Sequence, residues 1–170
     1  LDNYNDFQYS GSVTAIISDP DGNNIGAAGD FLLAYGTDGE LRGIKESALI
    51  PEGLGNGYAF QFLFYGHGAD LGTDYSFKYF NGESGLVVDV ALGEDQSYTF
   101  AADMIVGNLV FPEEFSVACW PISEGSTDDG GGEDCGVDEG GQEAFDSDFN
   151  SILDNYNDFQ YSGSVTATIS

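Results

Sequence analysis

The sequence predicts an all-β fold, an Ig-like two-sheet β-sandwich. Aromatic and β-branched residues come in short runs in which apolar and polar positions alternate, as they do in half-buried strands. Turn-forming residues, including 25 glycines, divide the chain into about eight or nine such runs at regular spacing. No long segment places apolar residues at helical spacing. Short strands of this number and spacing are typical of a two-sheet sandwich.

The first strand is predicted at residues 7–18, where successive side chains alternate between two faces. A segment dense in turn formers, 19–24, ends it. Its inward face is predicted to carry Phe7, Tyr9, Gly11, Val13, Ala15 and Ile17. A half-buried strand therefore opens the domain.

The later strands follow from the same alternation. They are predicted at 31–35, 41–45, 58–65, 75–79, 86–91, 98–101, 104–106 and 115–118. Asp38-Gly39 and Asn81-Gly82 supply the turns of two hairpins. Residues 58–65 place aromatic side chains on one face, namely Tyr58, Phe60, Phe62 and Phe64. This aromatic face predicts the centre of the core.

The opening of the chain recurs near its end. Residues 1–18 reappear at 153–170 with a single change, Ile16 to Thr168, about one domain length later. We therefore divide the chain into a sandwich repeat (1–120), an acidic Gly-rich linker (121–152) and the first strand of the next repeat (153–170). That inter-repeat strand carries Phe159, Tyr161, Val165, Ala167 and Ile169. A donor strand that completes the present domain is the alternative interpretation.

The charge balance excludes one class of partner. The chain has 30 acidic residues and 3 basic ones, for a net charge of −27. A phosphate backbone would be repelled, so we expect no nucleic-acid binding. The bases Arg42 and Lys78 are predicted to be structural, paired with carboxylates. Adaptation to salty water and uptake of Ca²⁺ both fit this composition.

Cys119 and Cys135 are the two cysteines, and no further Cys or His lies near enough in sequence to complete a zinc site. A disulfide between them is predicted, which indicates an oxidising, extracellular setting. The sequence also contains no apolar run long enough to span a membrane.

Three acidic segments are candidates for calcium. Asp19, Asp21 and Asn23 have the one-three-five spacing of a calcium loop, and Asp30 falls at its twelfth position, although a plain polar turn is the competing interpretation. The junction between repeats offers Asp2 and Asp6, where a cation would stiffen the joint. The linker offers Asp128, Asp129, Glu133 and Asp134, for which a solvated acidic linker is the alternative.

Several spaced motifs suggest a family. They are Phe7-x-Tyr9-Ser10, Phe31-Leu32-Leu33-Ala34-Tyr35, Glu40-Leu41-Arg42-Gly43-Ile44, Phe60-x-Phe62-x-Phe64-Tyr65-Gly66, Ser76-Phe77-Lys78-Tyr79-Phe80 and Val106-Gly107 shortly before Pro112. This pattern resembles a β-sandwich repeat of very large secreted surface proteins of Bacteroidota. Such proteins are typically exported by type IX secretion and act as adhesins, gliding adhesins or surface filaments. The resemblance implies an extracellular location and covers roughly residues 7–112.

No catalytic motif stands out. His67 is the only histidine, set in a predicted turn, and no nucleophile elbow or phosphate loop is present. We therefore expect a structural repeat unit of an adhesive filament rather than an enzyme. Its expected partners are neighbouring identical repeats in the same chain and a homo-oligomer or lateral bundle of chains. The alternative function is a module that binds surface glycans through exposed Tyr or Trp side chains.

Overall fold

The computed structural model describes residues 6–92, 98–118 and 120, and these residues form eleven strands in two sheets. The strands are β1 (Tyr9–Ser18), β2 (Phe31–Tyr35), β3 (Leu41–Glu46), β4 (Ala48–Leu49), β5 (Tyr58–Gly66), β6 (Asp74–Asn81), β7 (Leu86–Asp89), β8 (Ala91–Leu92), β9 (Tyr98–Thr99), β10 (Ile105–Val106) and β11 (Glu113–Ser116). The predicted all-β class and the two-sheet sandwich are confirmed.

The first sheet has the strand order β4-β5-β1-β11-β8, and β10 also pairs with β1. The β1 strand is antiparallel to β5 and parallel to both β10 and β11. The first strand of the domain therefore lies in the middle of a sheet, next to the last described strand.

The second sheet has the order β3-β2-β6-β7, with β9 beside the start of β6, and all of its pairs are antiparallel. The predicted turn at Asp38-Gly39 closes the β2–β3 hairpin, with Gly39 at a φ of 78°. The predicted Asn81 turn joins β6 to β7, and the Asn81 Oδ1 accepts a hydrogen bond from the Ser84 N–H (2.8 Å). Both predicted hairpins are thus present.

Aromatic side chains from both sheets fill the space between them. Phe60, Phe62 and Phe64 of β5 are buried as predicted, and the Phe64 ring lies 6.0 Å from that of Phe77 in β6. Two details of the prediction were wrong. Tyr58 is only half-buried, and Tyr9 is exposed because the sandwich core begins two residues further along β1, at Gly11.

Predicted strand 86–91 is in fact two strands in different sheets. The β7 strand pairs with β6 in the second sheet, whereas β8 pairs with β11 in the first. The chain crosses between the sheets at Val90. Alternation alone does not indicate such a crossing, because both short strands keep the same period of two.

The predicted linker (121–152) and inter-repeat strand (153–170) lie outside the described residues. Within 6–92, 98–118 and 120, no helix has the length and apolarity needed to cross a membrane.

Candidate functional site

The candidate site is the position of β1 in the first sheet, which we call the β1 slot. The neighbouring strands are β5 along one edge of β1, and β10 and β11 along the other. Seven residue pairs join β1 to β5, two join it to β10 and four join it to β11. The backbone of β1 is therefore hydrogen-bonded along both edges over most of its length.

The inward face of β1 is fitted closely to the core. Val13, Ala15 and Ile17 are at most 2% exposed. A Cβ atom added at Gly11 would lie 2.7 Å from the Met104 Cγ and 3.0 Å from the Phe64 Cζ. The slot therefore requires a glycine at this point and medium-sized apolar side chains beyond it.

The outward face of β1 is more permissive. Ile16 is half-buried and stands opposite Glu114 of β11. The neighbouring Ser18 Oγ donates a hydrogen bond to the Glu114 Oε1 (2.8 Å). The one residue that differs between the two copies of the strand thus lies where a change costs little.

The loop 107–112 interrupts the strand that pairs with β1. It leaves the sheet after β10 and returns at β11. Within the loop, the Asn108 Oδ1 accepts hydrogen bonds from the N–H groups of Val110 (2.9 Å) and Phe111 (3.0 Å). Gly107 makes the departure possible, at a φ of 67° and directly against the Thr14 carbonyl. This glycine has a structural role that sequence reasoning missed. The Val106-Gly107-Asn108 run was its one visible signal, because Gly followed by Asn after β-branched residues indicates a turn.

Arg42 anchors the beginning of β1. Its guanidinium forms ion pairs with Asp38 (2.5 Å), Glu40 (2.7 Å) and Asp70 (3.5 Å). The Phe7 ring covers it, with the Arg42 Cζ 5.2 Å from the ring centroid. The Arg42 side chain is only 1% exposed, so this cation belongs to the fold, and the prediction of carboxylate partners and a structural role is confirmed.

The carboxylates around Arg42 keep it charged. Burial favours the neutral form, but the Glu40 hydrogen bond and the charges of Asp70 and Asp38 outweigh it and raise the pKa of Arg42. Asp70 is itself buried, and its Oδ2 accepts a hydrogen bond from the His67 N–H (2.6 Å). The predicted turn histidine thus contributes its backbone to this anchor. Its ring packs on Phe7, with centroids 4.7 Å apart.

Lys78 also has the predicted carboxylate partner. Its Nζ lies 2.9 Å from the Asp89 Oδ1 across the β6–β7 pair. Both side chains are substantially exposed, so this ion pair contributes little to stability.

Asp30 is the centre of a second buried network. Its Oδ2 accepts hydrogen bonds from the Tyr79 hydroxyl (2.5 Å) and the Ala27 N–H (2.7 Å), and its Oδ1 accepts one from the Gly82 N–H (2.8 Å). The residue is 1% exposed. These bonds join the loop before β2 to the β6–β7 hairpin.

The structure does not assemble the proposed calcium loop as a ligand set. The Asp19 carboxylate accepts hydrogen bonds from the N–H groups of Asp21 (3.0 Å) and Asn23 (2.8 Å), which is the pattern of a closed polar turn. Asp30 is occupied by its own donors. Among the described residues, no three His, Cys, Asp or Glu side chains are grouped as a cation site. Of the junction pair, Asp6 is exposed at the start of the described chain.

Several predicted residues lie outside the described ranges. They are Asp2 of the junction, Asp128, Asp129, Glu133 and Asp134 of the linker, Cys119 and Cys135, and the inter-repeat residues Phe159, Tyr161, Val165, Ala167 and Ile169. The disulfide and calcium binding by these groups stay predictions.

Two exposed aromatic residues bear on the glycan alternative. Trp120 is 38% exposed, and Phe111 is 76% exposed. A stacking platform needs such exposed rings, but it also needs polar groups arranged around them. Glycan binding stays a prediction.

Buried tyrosines give a testable dependence on pH. Burial raises the pKa of Tyr35 and Tyr75 to about 12, and it also raises the pKa of Tyr79 and Tyr98. Unfolded tyrosines ionise near 10.0, so this stabilisation is complete below pH 10 and is lost as the pH rises towards 12. We expect the free energy of unfolding, measured in urea, to fall steeply over that range. Tyr35→Phe should flatten the fall, and a free energy that stays constant up to about pH 12 would contradict the assignment.

No protein-family model, curated protein or solved structure matches this chain. The functional argument therefore depends on the sequence and on the geometry of the β1 slot.

Proposed function

We propose that this domain is a force-carrying repeat unit of an extracellular bacterial filament that serves adhesion. The observation that carries the proposal is the parallel pairing of β1 with β10 and β11. This pairing sets where the chain enters and leaves the domain, and therefore how a string of copies transmits tension.

The chain enters and leaves at opposite ends of the first sheet. In a parallel pair both strands run in the same direction, so the Tyr9 end of β1 lies far from the Ser116 end of β11. The ten residues of β1 span about 30 Å at the rise of an extended strand. Successive copies joined in this way extend head to tail and add length.

Tension between these two ends loads the β1 ladder in shear. Each hydrogen bond between β1 and its parallel partners lies roughly across the direction of pulling, so the bonds resist together. In the opposite geometry, in which two strands are pulled apart from the same end, the bonds break one after another. The domain is thus built to resist extension along the direction in which a filament is stretched.

Further contacts hold β1 against that tension. Its second edge is bonded to β5, and the Gln8 N–H continues that ladder to the Gly66 carbonyl (3.2 Å). The Phe7 ring contacts both the Arg42 guanidinium and the His67 ring at the point where force enters.

Other observations support an extracellular filament. The near-verbatim recurrence of 1–18 at 153–170 indicates a string of similar domains. The net charge of −27 favours solubility and disfavours collapse of neighbouring copies onto one another. The resemblance to secreted Bacteroidota repeats supports the compartment and adhesion.

Single-molecule pulling tests the proposal by comparing two directions in one fold. One variant carries Asp6→Cys and Ala118→Cys as attachment points, and the other carries Asp21→Cys and Ala118→Cys, both in a background in which Cys119 and Cys135 are serine. All three attachment positions are exposed. Pulling from 6 and 118 shears β1 against β11, whereas pulling from 21 and 118 unzips the same pair from its Ser18 end.

We expect a clearly higher unfolding force for the 6/118 pair than for the 21/118 pair at equal stability in urea. Equal stability shows that the attachment points leave the fold intact. Equal forces in the two directions would show that the β1 ladder does not carry the load, and the proposed function would then lose its basis.

A further inference from the structure

The outward face of the first sheet carries two exposed apolar side chains on either side of a small polar one. Ser12 of β1 is the Cα partner of Leu63 in β5 and of Ile105 in β10. Side chains at paired positions lie on the same face of a sheet, and this face points away from the core because Val13 is on the inward one. Leu63 is 51% exposed and Ile105 is 81% exposed. The three residues therefore form a row of two apolar side chains with a notch between them.

The loop that follows β10 adds to this apolar surface. It leaves the sheet between β10 and β11 and carries Val110, which is 56% exposed, and Phe111. A single exposed apolar side chain is ordinary, but several from neighbouring strands and one adjoining loop indicate an interaction surface. We call this surface the outer patch, and it consists of Ser12, Leu63, Ile105, Val110 and Phe111.

The outer patch lies on strands without charge, although the whole chain has a net charge of −27. The strands β1, β5 and β10 contain no Asp, Glu, Lys or Arg, whereas β3, β6 and β7 of the second sheet each contain charged residues. The outward carboxylate of Glu114 is opposite Ile16, four residues from Ser12 and therefore about 13 Å away along β1. Charges at that distance are screened, because the screening length is about 8 Å at physiological ionic strength. A second acidic molecule can therefore approach the outer patch without strong repulsion.

We infer that the outer patch binds the outer patch of a second copy of this chain, so that two domains associate side by side. A two-fold axis between the facing sheets and parallel to β1 reverses the order of the row in the second copy. When this axis lies between Ser12 and Ile105, each Ile105 is placed over the notch at Ser12 of the other copy. The fit is reciprocal, as a two-fold interface requires. It also follows the ordinary face-to-face packing of two sheets.

This association deepens the proposed function, and its consequence for a filament rests on that function. An apolar patch of this kind measures on the order of a few hundred Å², less than the roughly 800 Å² per partner of a standard interface. One pair of domains therefore associates weakly. In two strings of repeats, each pair that forms brings the next pair together, so the combined affinity is much higher. Because the two-fold axis is parallel to β1, the two strings run in the same direction and share the tension.

Sedimentation equilibrium of the full chain, with Cys119 and Cys135 replaced by serine, tests whether copies associate. We expect the average mass to rise towards that of a dimer as the protein concentration increases from about 10 μM to about 1 mM. Added NaCl should strengthen the association, because it screens the repulsion between two acidic chains. A basic partner protein would show the opposite dependence on salt. A chain that stays monomeric at every concentration and salt level overturns the inference.

Two matched variants test whether the outer patch is the contact. Ile105→Glu places a carboxylate at the centre of the interface and should weaken the association at least about tenfold. Leu49→Glu adds the same charge at a side chain that is 67% exposed in the same sheet, but Leu49 is paired with Tyr58 on the inward side. It should leave the association unchanged. Both variants should unfold at the urea concentration of the parent, because both side chains are exposed. Equal weakening by the two variants would mean that added charge alone is responsible, and the outer patch would be ruled out.

Backbone amide chemical shifts locate the contact directly. Between dilute and concentrated samples, we expect the shifts of Ser12, Leu63 and Ile105 to change, and those of β6 and β7 in the second sheet to stay constant. Changes concentrated in the second sheet would show that the copies associate through another face, and would overturn the assignment.

The association and the proposed function can fail separately. Pulling is done on single molecules, so the comparison of the 6/118 and 21/118 pairs does not depend on a second copy. A monomeric chain with a higher force for 6/118 would rule out the association and keep the mechanical role. A chain that dimerises through the outer patch but unfolds at equal forces would do the reverse.

Discussion

Asp30→Ala should lower the free energy of unfolding by about 2–4 kcal/mol, because it removes the acceptor of one buried hydrogen bond, from the Tyr79 hydroxyl, and of two partly buried ones, from Ala27 and Gly82. The Tyr79 hydroxyl would lose its acceptor in the interior of the domain, whereas Ala27 and Gly82 are exposed residues whose N–H groups water can partly satisfy. A buried donor without an acceptor costs about 1–3 kcal/mol, so the Tyr79 hydroxyl accounts for most of the loss and the two N–H groups for the rest. Equilibrium unfolding in urea measures it.

Asp21→Ala is the matched control, since it makes the same change at an exposed carboxylate in the preceding turn. We expect its effect to stay within about 0.5 kcal/mol. If the two variants lost equal stability, and only when calcium is present, the shared calcium loop would explain both and the buried network would not. A large loss for Asp30→Ala alone, with or without a chelator, supports the network.

The sequence was informative wherever one local rule decides the structure. Alternation along 11–17 predicted the inward face of β1 correctly, because each second residue of a strand faces the same side. The hairpin turns after β2 and β6 were also predictable, since Asp-Gly and Asn-Gly pairs indicate turns. The positive φ falls on the predicted Gly39 in the first hairpin, but on Gly85 rather than Gly82 in the second. The aromatic side chains on one face of residues 58–65 correctly predicted that β5 lies in the core.

These local rules do not predict which strands pair with each other. Alternation indicates a strand but not its neighbour, so the parallel pairing of β1 with β11 had no local signal. The recurrence of residues 1–18 at 153–170 did indicate that β1 is an important strand. Its position in the middle of the sheet, which gives it that importance, depends on contacts about a hundred residues apart.

The role of Asp30 illustrates a different difficulty. Its spacing from Asp19 matched a calcium loop, and a carboxylate in a ligand position cannot be told by spacing from one that accepts hydrogen bonds. The distinction lies in burial and in the donors that surround it, namely Tyr79 and Gly82. Both donors are distant in sequence, so only the fold brings them to Asp30.

Gly107→Ala should lower the free energy of unfolding by about 3–4 kcal/mol and should weaken the first sheet at the point where β1 passes from β10 to β11. Two costs add. The φ of 67° disfavours any residue with a Cβ, and the new Cβ would lie 2.4 Å from the Thr14 carbonyl oxygen, a backbone atom that cannot turn aside. The backbone of the 107–112 loop or of β1 has to shift, and we expect this shift to weaken the pairing of β1 with its parallel partners.

Gly22→Ala separates these two costs. Gly22 has a similar φ of 82°, but nothing lies within 4 Å of its added Cβ. We expect it to lose only about 1 kcal/mol, the cost of the left-handed backbone alone. Urea unfolding measures both variants, and pulling from 6 and 118 should show a lower unfolding force for Gly107→Ala than for Gly22→Ala. If the two variants were equally stable and equally strong, the close approach of Gly107 to Thr14 would contribute nothing to the β1 ladder, and the resistance to shear would have to come from the β5 edge.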